Sequence, residues 1–424
     1  MASAYQHSVY LEEQKCTGCT TCLHHCPTEA IRILDGKAVI NSDRCIDCGE
    51  CIRRCPHQAK KAMSSPLSSM DRFRWKIALP APTLYGQFDN LDDVDYVLNG
   101  LKKIGFDEVY EVSAGAEIVS AYTRQYIKTE GVRLPLISSA CPVVIRLICL
   151  LFPSLKDNVM RLLPPMEVAA QIARIRAMSA HPELEPQDIG VCFVSPCPGK
   201  VSYVKNNTAD TYNSVDEVVS INDVYFELVN AMKRGEEIES LSDSGMLGIG
   251  WASSGGESAA ILNDDYLAAD GIENVIHVLN QIENGNIQNV KFIELNACPG
   301  GCVGGVLSVQ NPFIAKARLQ SLRHYLPVSM LHLSQEEQHY IPANFFFEEL
   351  PKYNPVARLS NNMAESMRMM ADIQRIRAQL PGIDCGACGA PSCRAHAEDL
   401  VRSRKKNPDV DCPILRAKMI KDPQ

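Results

Sequence analysis

Cysteine is the residue type in this chain whose number and spacing point most directly to chemistry. The 424 residues contain 18 cysteines, and the first eight form two similar runs. In each run three cysteines are separated by two residues, and a fourth cysteine precedes a proline. The runs are Cys16, Cys19, Cys22 and Cys26-Pro27, and then Cys45, Cys48, Cys51 and Cys55-Pro56. Clustered thiols of this kind bind metal more often than they form disulfides in a reducing compartment.

The spacing of these two runs predicts two [4Fe-4S] clusters. In such runs three cysteines surround one cubane, and the fold places the fourth cysteine on the other cubane. Cluster one is therefore expected on Cys16, Cys19, Cys22 and Cys55, and cluster two on Cys45, Cys48, Cys51 and Cys26. Zinc is the alternative metal, but the Cys-Pro endings favour cubanes. Residues 1–62 resemble a two-cluster bacterial ferredoxin, and this resemblance implies electron relay.

A central group of cysteines follows short apolar runs. Between about residues 71 and 350, such runs alternate with amphipathic helical patterns, which predicts an α/β domain with mainly parallel strands in two lobes. Open α/β sheets bind ligands at the carboxyl ends of their strands. The loops SSACP, VSPCPGK and NACPGGC are expected at such ends and to converge on one site, and they carry Cys141, Cys197, Cys298 and Cys302.

A last group of cysteines follows a helical pattern near the carboxyl end of the sequence. Its C-x-x-C-x-x-x-x-C spacing and a later cysteine predict a third [4Fe-4S] cluster, with zinc again as the alternative; the ligands would be Cys385, Cys388, Cys393 and Cys412. The multidomain α/β prediction is a ferredoxin-like head (1–62), an α/β domain (70–355), a connector helix (356–380) and a small helical Fe-S domain (381–424). Cys149 and Cys192 lie in apolar runs and are expected to be buried core thiols.

Composition restricts the partners. A net charge of −8 argues against nucleic acid as the main partner. The sequence has no apolar stretch of the roughly 18 to 20 residues that span a membrane, and its first residues lack a signal-peptide pattern. We therefore expect a cytoplasmic protein that contacts no membrane. The sequence leaves the oligomeric state open, with a homodimer as one candidate.

Three central loops resemble the signature loops of the iron-iron ([FeFe]) hydrogenases, in the same order after a ferredoxin-like head. They are Ser139-Ala140-Cys141-Pro142, Pro196-Cys197-Pro198-Gly199-Lys200 and Ala297-Cys298-Pro299-Gly300-Gly301-Cys302. The resemblance implies that Cys141, Cys197, Cys298 and Cys302 bind the cubane of an H-cluster. Cys302 would also bridge to a diiron unit with carbon monoxide, cyanide and azadithiolate ligands, and Lys200 would donate a hydrogen bond to a cyanide. The segment from Gly248 to Glu257 resembles a wall of that pocket.

The same resemblance implies the partners. They are H2 and protons, a redox partner such as ferredoxin or a downstream signalling protein, and the hydrogenase maturation proteins. Electrons would leave through the ferredoxin clusters or the C-terminal cubane.

The sequence departs from catalytic hydrogenases around this pocket. Ala140 stands where the family's proton-relay cysteine is expected, and Tyr122 and Gln125 stand where relay carboxylates are expected. Ser195 and Asn296 replace methionines that would pack near the diiron unit. Retained iron ligands without the fast proton path favour slow turnover. Together with the added C-terminal cubane, they resemble the family's sensory branches, in which hydrogen is read as a signal.

Two questions stay open at this point. The residue that admits protons would be Tyr203, Glu117, Ser195 or an ordered water. The alternative functions are an iron-sulfur assembly protein without the diiron unit and an electron-transfer subunit. A complete two-cluster head and a C-terminal cubane weaken the first alternative, and Lys200 and the NACPGGC loop weaken the second.

Overall fold

The computed structural model of the protein describes residues 6–206, 214–232, 238–331, 333, 340–347, 359–403 and 412–421. These residues divide into two compact units. The cysteine-rich unit comprises the described residues of Met1–Ala62, Cys149–Pro153 and Lys352–Gln424, and the α/β unit comprises those of Met63–Ile148 and Ser154–Pro351. The predicted boundary between α/β domain and connector helix, at 355/356, lies outside the described residues.

Strands and helices alternate through most of the described chain. Strands β1 to β11 are Val9–Leu11, Ile31–Leu34, Lys37–Ile40, Lys60–Ala62, Trp75–Pro80, Glu108–Val109, Leu136–Ile137, Ile189–Ser195, Glu217–Ser220, Tyr266–Asp270 and Phe292–Asn296. Helices α1 to α15 are Thr21–His24, Glu50–Arg53, Asp95–Lys103, Val112–Tyr126, Pro142–Leu151, Pro165–Ala180, Pro198–Asn206, Ile221–Ala231, Met246–Gly250, Gly256–Ala260, Ile272–Glu283, Pro312–Arg323, Met363–Gln379, Cys393–Arg402 and Pro413–Lys421. None of the helices in the described residues has both the length and the apolar character needed to cross a lipid bilayer.

The α/β unit contains two parallel sheets. One has the strand order β6-β5-β8-β9 and the other β10-β11-β7, and every pairing in them is parallel. Strand β8 is buried along its whole length, as expected for a continuous apolar run in a sheet covered on both faces. This arrangement confirms the predicted α/β class with mainly parallel strands.

One run with the composition of a strand lies mostly outside the sheet in the structure. The run DEVYEVS has the composition of a strand, but β6 contains only Glu108 and Val109. The chain leaves the sheet there because the buried carboxylate of Glu111 accepts hydrogen bonds from the Tyr85 hydroxyl at 2.8 Å and the Asp243 amide at 2.7 Å. Helix α4 begins at the next residue.

The cysteine-rich unit is built from short antiparallel pairs and helices. Strand β1 pairs with β4, and β2 pairs with β3. Asp35 and Gly36 connect β2 to β3 with φ angles of 49° and 74°, as a two-residue hairpin turn requires. Helices α13 and α14 pack around a small core that includes Ile373, Ile376 and the buried Cys412.

Candidate active site

The three central cysteine loops follow parallel strands of both sheets. Cys141 lies shortly after β7, Cys197 after β8 and Cys298 after β11. Helices α5 and α7 begin at the prolines that follow Cys141 and Cys197, because proline is preorganised for the first position of a helix. The structure brings Cys141, Cys197, Cys298 and Cys302 together around one cavity.

Backbone contacts fix the third loop against its neighbours. The Leu307 amide donates to the Pro196 carbonyl at 3.0 Å, and the Val303 amide donates to the Ala252 carbonyl at 2.9 Å. A Cβ on Gly305 would collide with the Pro196 carbonyl oxygen, so this close approach requires glycine. The NACPGGC loop is therefore held both to the PCPGK loop and to the segment from Gly248 to Glu257.

The thiols in this cavity influence one another. Burial raises the pKa of the Cys197 thiol, and the nearby thiols of Cys298, Cys141 and Cys302 raise it further, whereas the Lys200 ammonium lowers it. Burial also raises the pKa of Cys141. Thiols in such surroundings become thiolates when a metal cation takes the place of their protons. The donor set therefore suits a metal centre.

The other predicted site residues differ in how they approach the cavity. Ala140, Lys200 and Asn296 line it. The Lys200 ammonium lies 5.2 Å from the centroid of the Phe193 ring, and Asn296 Nδ2 donates to Glu294 at 2.7 Å. Ser195 is fully buried and is not among the described residues that line the cavity; its hydroxyl oxygen accepts the Cys197 amide at 3.2 Å.

Neither the residues at the expected relay positions, Tyr122 and Gln125, nor the proton-entry candidates Tyr203 and Glu117 are among the described residues that line this cavity. Tyr122 packs in a core with Phe345, at 5.8 Å between ring centroids, and Gln125 lines a different cavity. Tyr203 is buried and, like these two, is absent from the described lining of the site. Glu117 accepts hydrogen bonds from the Gly245 and Met330 amides, among others, and so holds two loops in place.

Two acidic residues also line the cavity: Glu257, at the end of the segment expected to form a pocket wall, and Glu294, which no motif in the sequence indicated. Glu257 and Glu294 are 3% and 2% exposed. Burial raises the pKa of both carboxyl groups, and the charge of Glu294 raises the pKa of Glu257 further. The sequence did carry a signal for Glu294, because it is an acidic residue inside the apolar strand FIELN. A carboxylate buried in such a strand needs specific partners.

The two carboxyl groups have different hydrogen-bond partners. Glu294 accepts bonds from the amides of Gly255 and Ser258, both at 2.9 Å, and from Asn296. Glu257 lies close to the Ser138 hydroxyl, with its two oxygens at 2.8 and 2.7 Å from Ser138 Oγ. Hydrogen bonds from N–H donors favour the charged form of a carboxyl group. Glu294 is therefore the better site for the negative charge, and Glu257 is the better site for a proton.

The cysteines of the head also converge. Cys16, Cys19, Cys22 and Cys55 line one cavity, together with the buried Lys60. Burial raises the pKa of Cys22 to about 11, while Lys60 lowers it. In the second group, burial raises the pKa of Cys48 and Cys51, and Cys26 raises both further.

The remaining cysteines occupy two kinds of position. Cys385 and Cys388 lie in the loop before α14, Cys393 begins that helix, and Cys412 is buried in the core beside it. Cys149 and Cys192 are 1% and 0% exposed, which confirms their prediction as buried thiols.

Several solved structures are similar to this chain. A structure described as stepwise [FeFe]-hydrogenase H-cluster assembly in HydA(deltaEFG) is 18% identical, covers 62% of this chain and 88% of its own, and has a TM-score of 0.46. A structure of [FeFe]-hydrogenase HydA1 from Chlamydomonas reinhardtii is 16% identical, covers 60% and 86%, and has a TM-score of 0.46. A structure on oxygen inactivation of [FeFe]-hydrogenase is 16% identical, covers 62% and 88%, and has a TM-score of 0.47. No curated protein sequence matches the chain.

Three family models match. A 4Fe-4S dicluster domain matches residues 8–56, and a model for an Fe-S cluster matches residues 380–414. These matches support iron-sulfur cofactors at both ends of the sequence. The model of the iron only hydrogenase large subunit, C-terminal domain, matches residues 76–263 and 257–306. Because these two matches together cover more than half of the 424 residues, the chain belongs to the iron-only hydrogenase family.

Proposed function

We propose that the protein interconverts H2 with protons and electrons slowly and serves as a hydrogen sensor. The observation that carries this proposal is the composition of one cavity. Four cysteines and Lys200 line it, as a hydrogenase site requires, but Ala140 occupies the wall position beside Cys141. An alanine methyl group neither donates nor accepts a proton.

The residues of the cavity fit an H-cluster. Cys141, Cys197, Cys298 and Cys302 would hold the cubane, and Cys302 would also hold the diiron unit. When bound, the diiron unit would supply the centre at which H2 and protons interconvert. Lys200 lines the cavity and would donate a charge-assisted hydrogen bond to this anionic group. Most of the other lining residues are apolar, among them Val112, Phe193 and Trp251.

We assign proton exchange to Glu257 and Glu294. Both line the cavity, and their mutual repulsion favours the state in which the pair holds one proton. Glu257 holds that proton beside the Ser138 hydroxyl, which accepts the Ala140 amide at 3.1 Å. This pair therefore replaces Tyr203, Glu117 and Ser195 as the candidate for proton entry.

The remaining assignments belong to the same proposal. We assign one cubane each to cluster one, cluster two and the C-terminal cysteines, so that electrons reach a ferredoxin or a downstream signalling protein in the cytoplasm. Maturation proteins would deliver the diiron unit. Slow turnover suits a sensor because the site then reports hydrogen without consuming much of it.

Infrared spectroscopy of the maturated protein tests the assignment. We expect bands in the metal-carbonyl and cyanide region, together with H2 production that is slow even with an excess of reductant. Absence of the bands after competent maturation would leave an iron-sulfur protein without the diiron unit. Rapid turnover with the bands present would remove the sensory interpretation.

A further inference from the structure

The C-terminal cysteine loop contacts the wall of cluster one. Both belong to the cysteine-rich unit, although more than 350 residues separate them in sequence. The Ile33 amide in β2 donates to the carbonyl of Gly389 at 2.8 Å, and Ile33 lines the cavity of Cys16, Cys19, Cys22 and Cys55. Gly389 directly follows Cys388. Ile33 therefore lines the cluster-one cavity and also contacts Gly389, the residue next to Cys388.

This approach requires glycine at two positions of the loop. Gly389 has a φ of +83°, and a Cβ there would collide with the Ile33 carbonyl oxygen. A Cβ on Gly386 would lie 2.8 Å from His24 Nε2 and 3.4 Å from Leu23 Cδ2. Leu23 directly follows Cys22. The backbone on both sides of Cys388 thus lies against residues that border cluster one.

Charged side chains hold the same contact. Arg32 Nε and Nη2 donate to the two carboxylate oxygens of Asp399 at 2.5 and 3.1 Å, which is the bidentate geometry of a strong ion pair. Arg44 Nη2 lies 2.5 Å from Glu398, and these two side chains are only 11% and 12% exposed. A buried pair with this geometry fixes two surfaces in one orientation, because separating it leaves unpaired charges.

We propose that the C-terminal cubane exchanges electrons directly with cluster one. The C-terminal cysteines would then hold one end of the electron-transfer chain that runs through the ferredoxin-like head. This inference rests on the cluster assignments under Proposed function. One electron leaves the reduced cubane, which becomes oxidised, and enters the oxidised one, which becomes reduced, without a bond forming or breaking. The exchange is direct because the two cysteine loops contact each other in space, although they lie far apart in the sequence.

Electron paramagnetic resonance of the reduced full-length protein tests the proposal. We expect the signal of the C-terminal cubane to be broadened by the spin of cluster one, and Cys19→Ser to alter that broadening. In Gly389→Ala the new Cβ collides with Ile33, so the broadening should be lost. Gly382→Ala is the matched control because Gly382 has a φ of +69° with nothing within 4 Å of an added Cβ. Arg32→Met, which removes the bidentate pair, should also weaken the broadening.

Iron and sulfide content separate the outcomes. If the C-terminal cubane is absent from the parent protein, the cluster assignment and this proposal both fail. If the iron content is complete but the parent shows no broadening, or broadening by cluster two instead, this proposal alone is overturned. If Gly389→Ala loses iron, the Arg32→Met variant is used to test the proposal instead. Undiminished broadening in an iron-replete Arg32→Met protein would also overturn the proposal.

Discussion

Replacing Glu257 with glutamine removes the exchangeable proton of this carboxyl group and changes the shape of the side chain very little. The amide oxygen of Glu257→Gln can still accept a hydrogen bond from Ser138, so the 2.7 to 2.8 Å contact is expected to remain. The amide cannot pass a proton at neutral pH. A positioned acid-base group contributes roughly 10²- to 10⁴-fold to rate.

The structure favours the lower end of that range. Glu294 still lines the cavity in the variant and keeps its bonds from the Gly255 and Ser258 amides. Some proton exchange should therefore continue, and we expect a loss of about 100-fold, which corresponds to about 2.7 kcal/mol in activation free energy. Production and oxidation of H2 should fall together, because both directions use the same pair.

The assay is H2 turnover in protein whose carbonyl and cyanide bands match those of the parent. Glu167→Gln is the matched control, because Glu167 is fully buried but is not among the described residues that line the cavity. Its turnover should stay at the parental level. If Glu257→Gln turned over H2 as fast as the parent, with unchanged bands, the assignment of the carboxyl pair would be wrong.

Three further predictions concern other positions. Burial raises the pKa of Glu167 from 4.5 to about 8. Between these pH values the folded chain keeps a proton that the unfolded chain has released. The free energy of unfolding should therefore fall by about 5 kcal/mol as the pH rises from 4.5 to about 8. Glu167→Gln should remove this decline in chemical denaturation curves recorded from pH 5 to 9; an equal decline in parent and variant would contradict it. Ala140→Cys should raise H2 turnover towards the roughly 100-fold contribution of a relay group. A rate no higher than the parent's, with intact infrared bands, would show that proton supply is not limiting. Lys60→Met should lower the reduction potential of cluster one in a redox titration, since a nearby charge contributes about 1 to 2 kcal/mol, or roughly 40 to 90 mV for one electron. An unchanged or higher potential would contradict it.

Sequence reasoning located the cysteines well because their positions obey short-range rules. The spacing within each run of the head follows from the geometry of a cubane. The carboxyl ends of β7, β8 and β11 follow from the alternation of apolar runs and helices. The structure accordingly brings Cys141, Cys197 and Cys298 to one cavity.

The acidic pair could not be predicted from spacing. Glu257 follows a glycine-rich turn and Glu294 lies inside β11, 37 positions further along the chain. They share the cavity because α10 packs beside that strand. Likewise, no local pattern indicates that Gly389 contacts Ile33, since this depends on how distant segments fold together.

Glu294 connects the cavity to the backbone of α10 through hydrogen bonds. Its carboxylate accepts the Gly255 and Ser258 amides, which lie at the start of α10, while it also faces the cavity. A proton that arrives on this carboxylate weakens its hold on both amides, and its departure tightens that hold. Proton transfer at this carboxylate is thereby coupled to the hydrogen bonds at the start of α10.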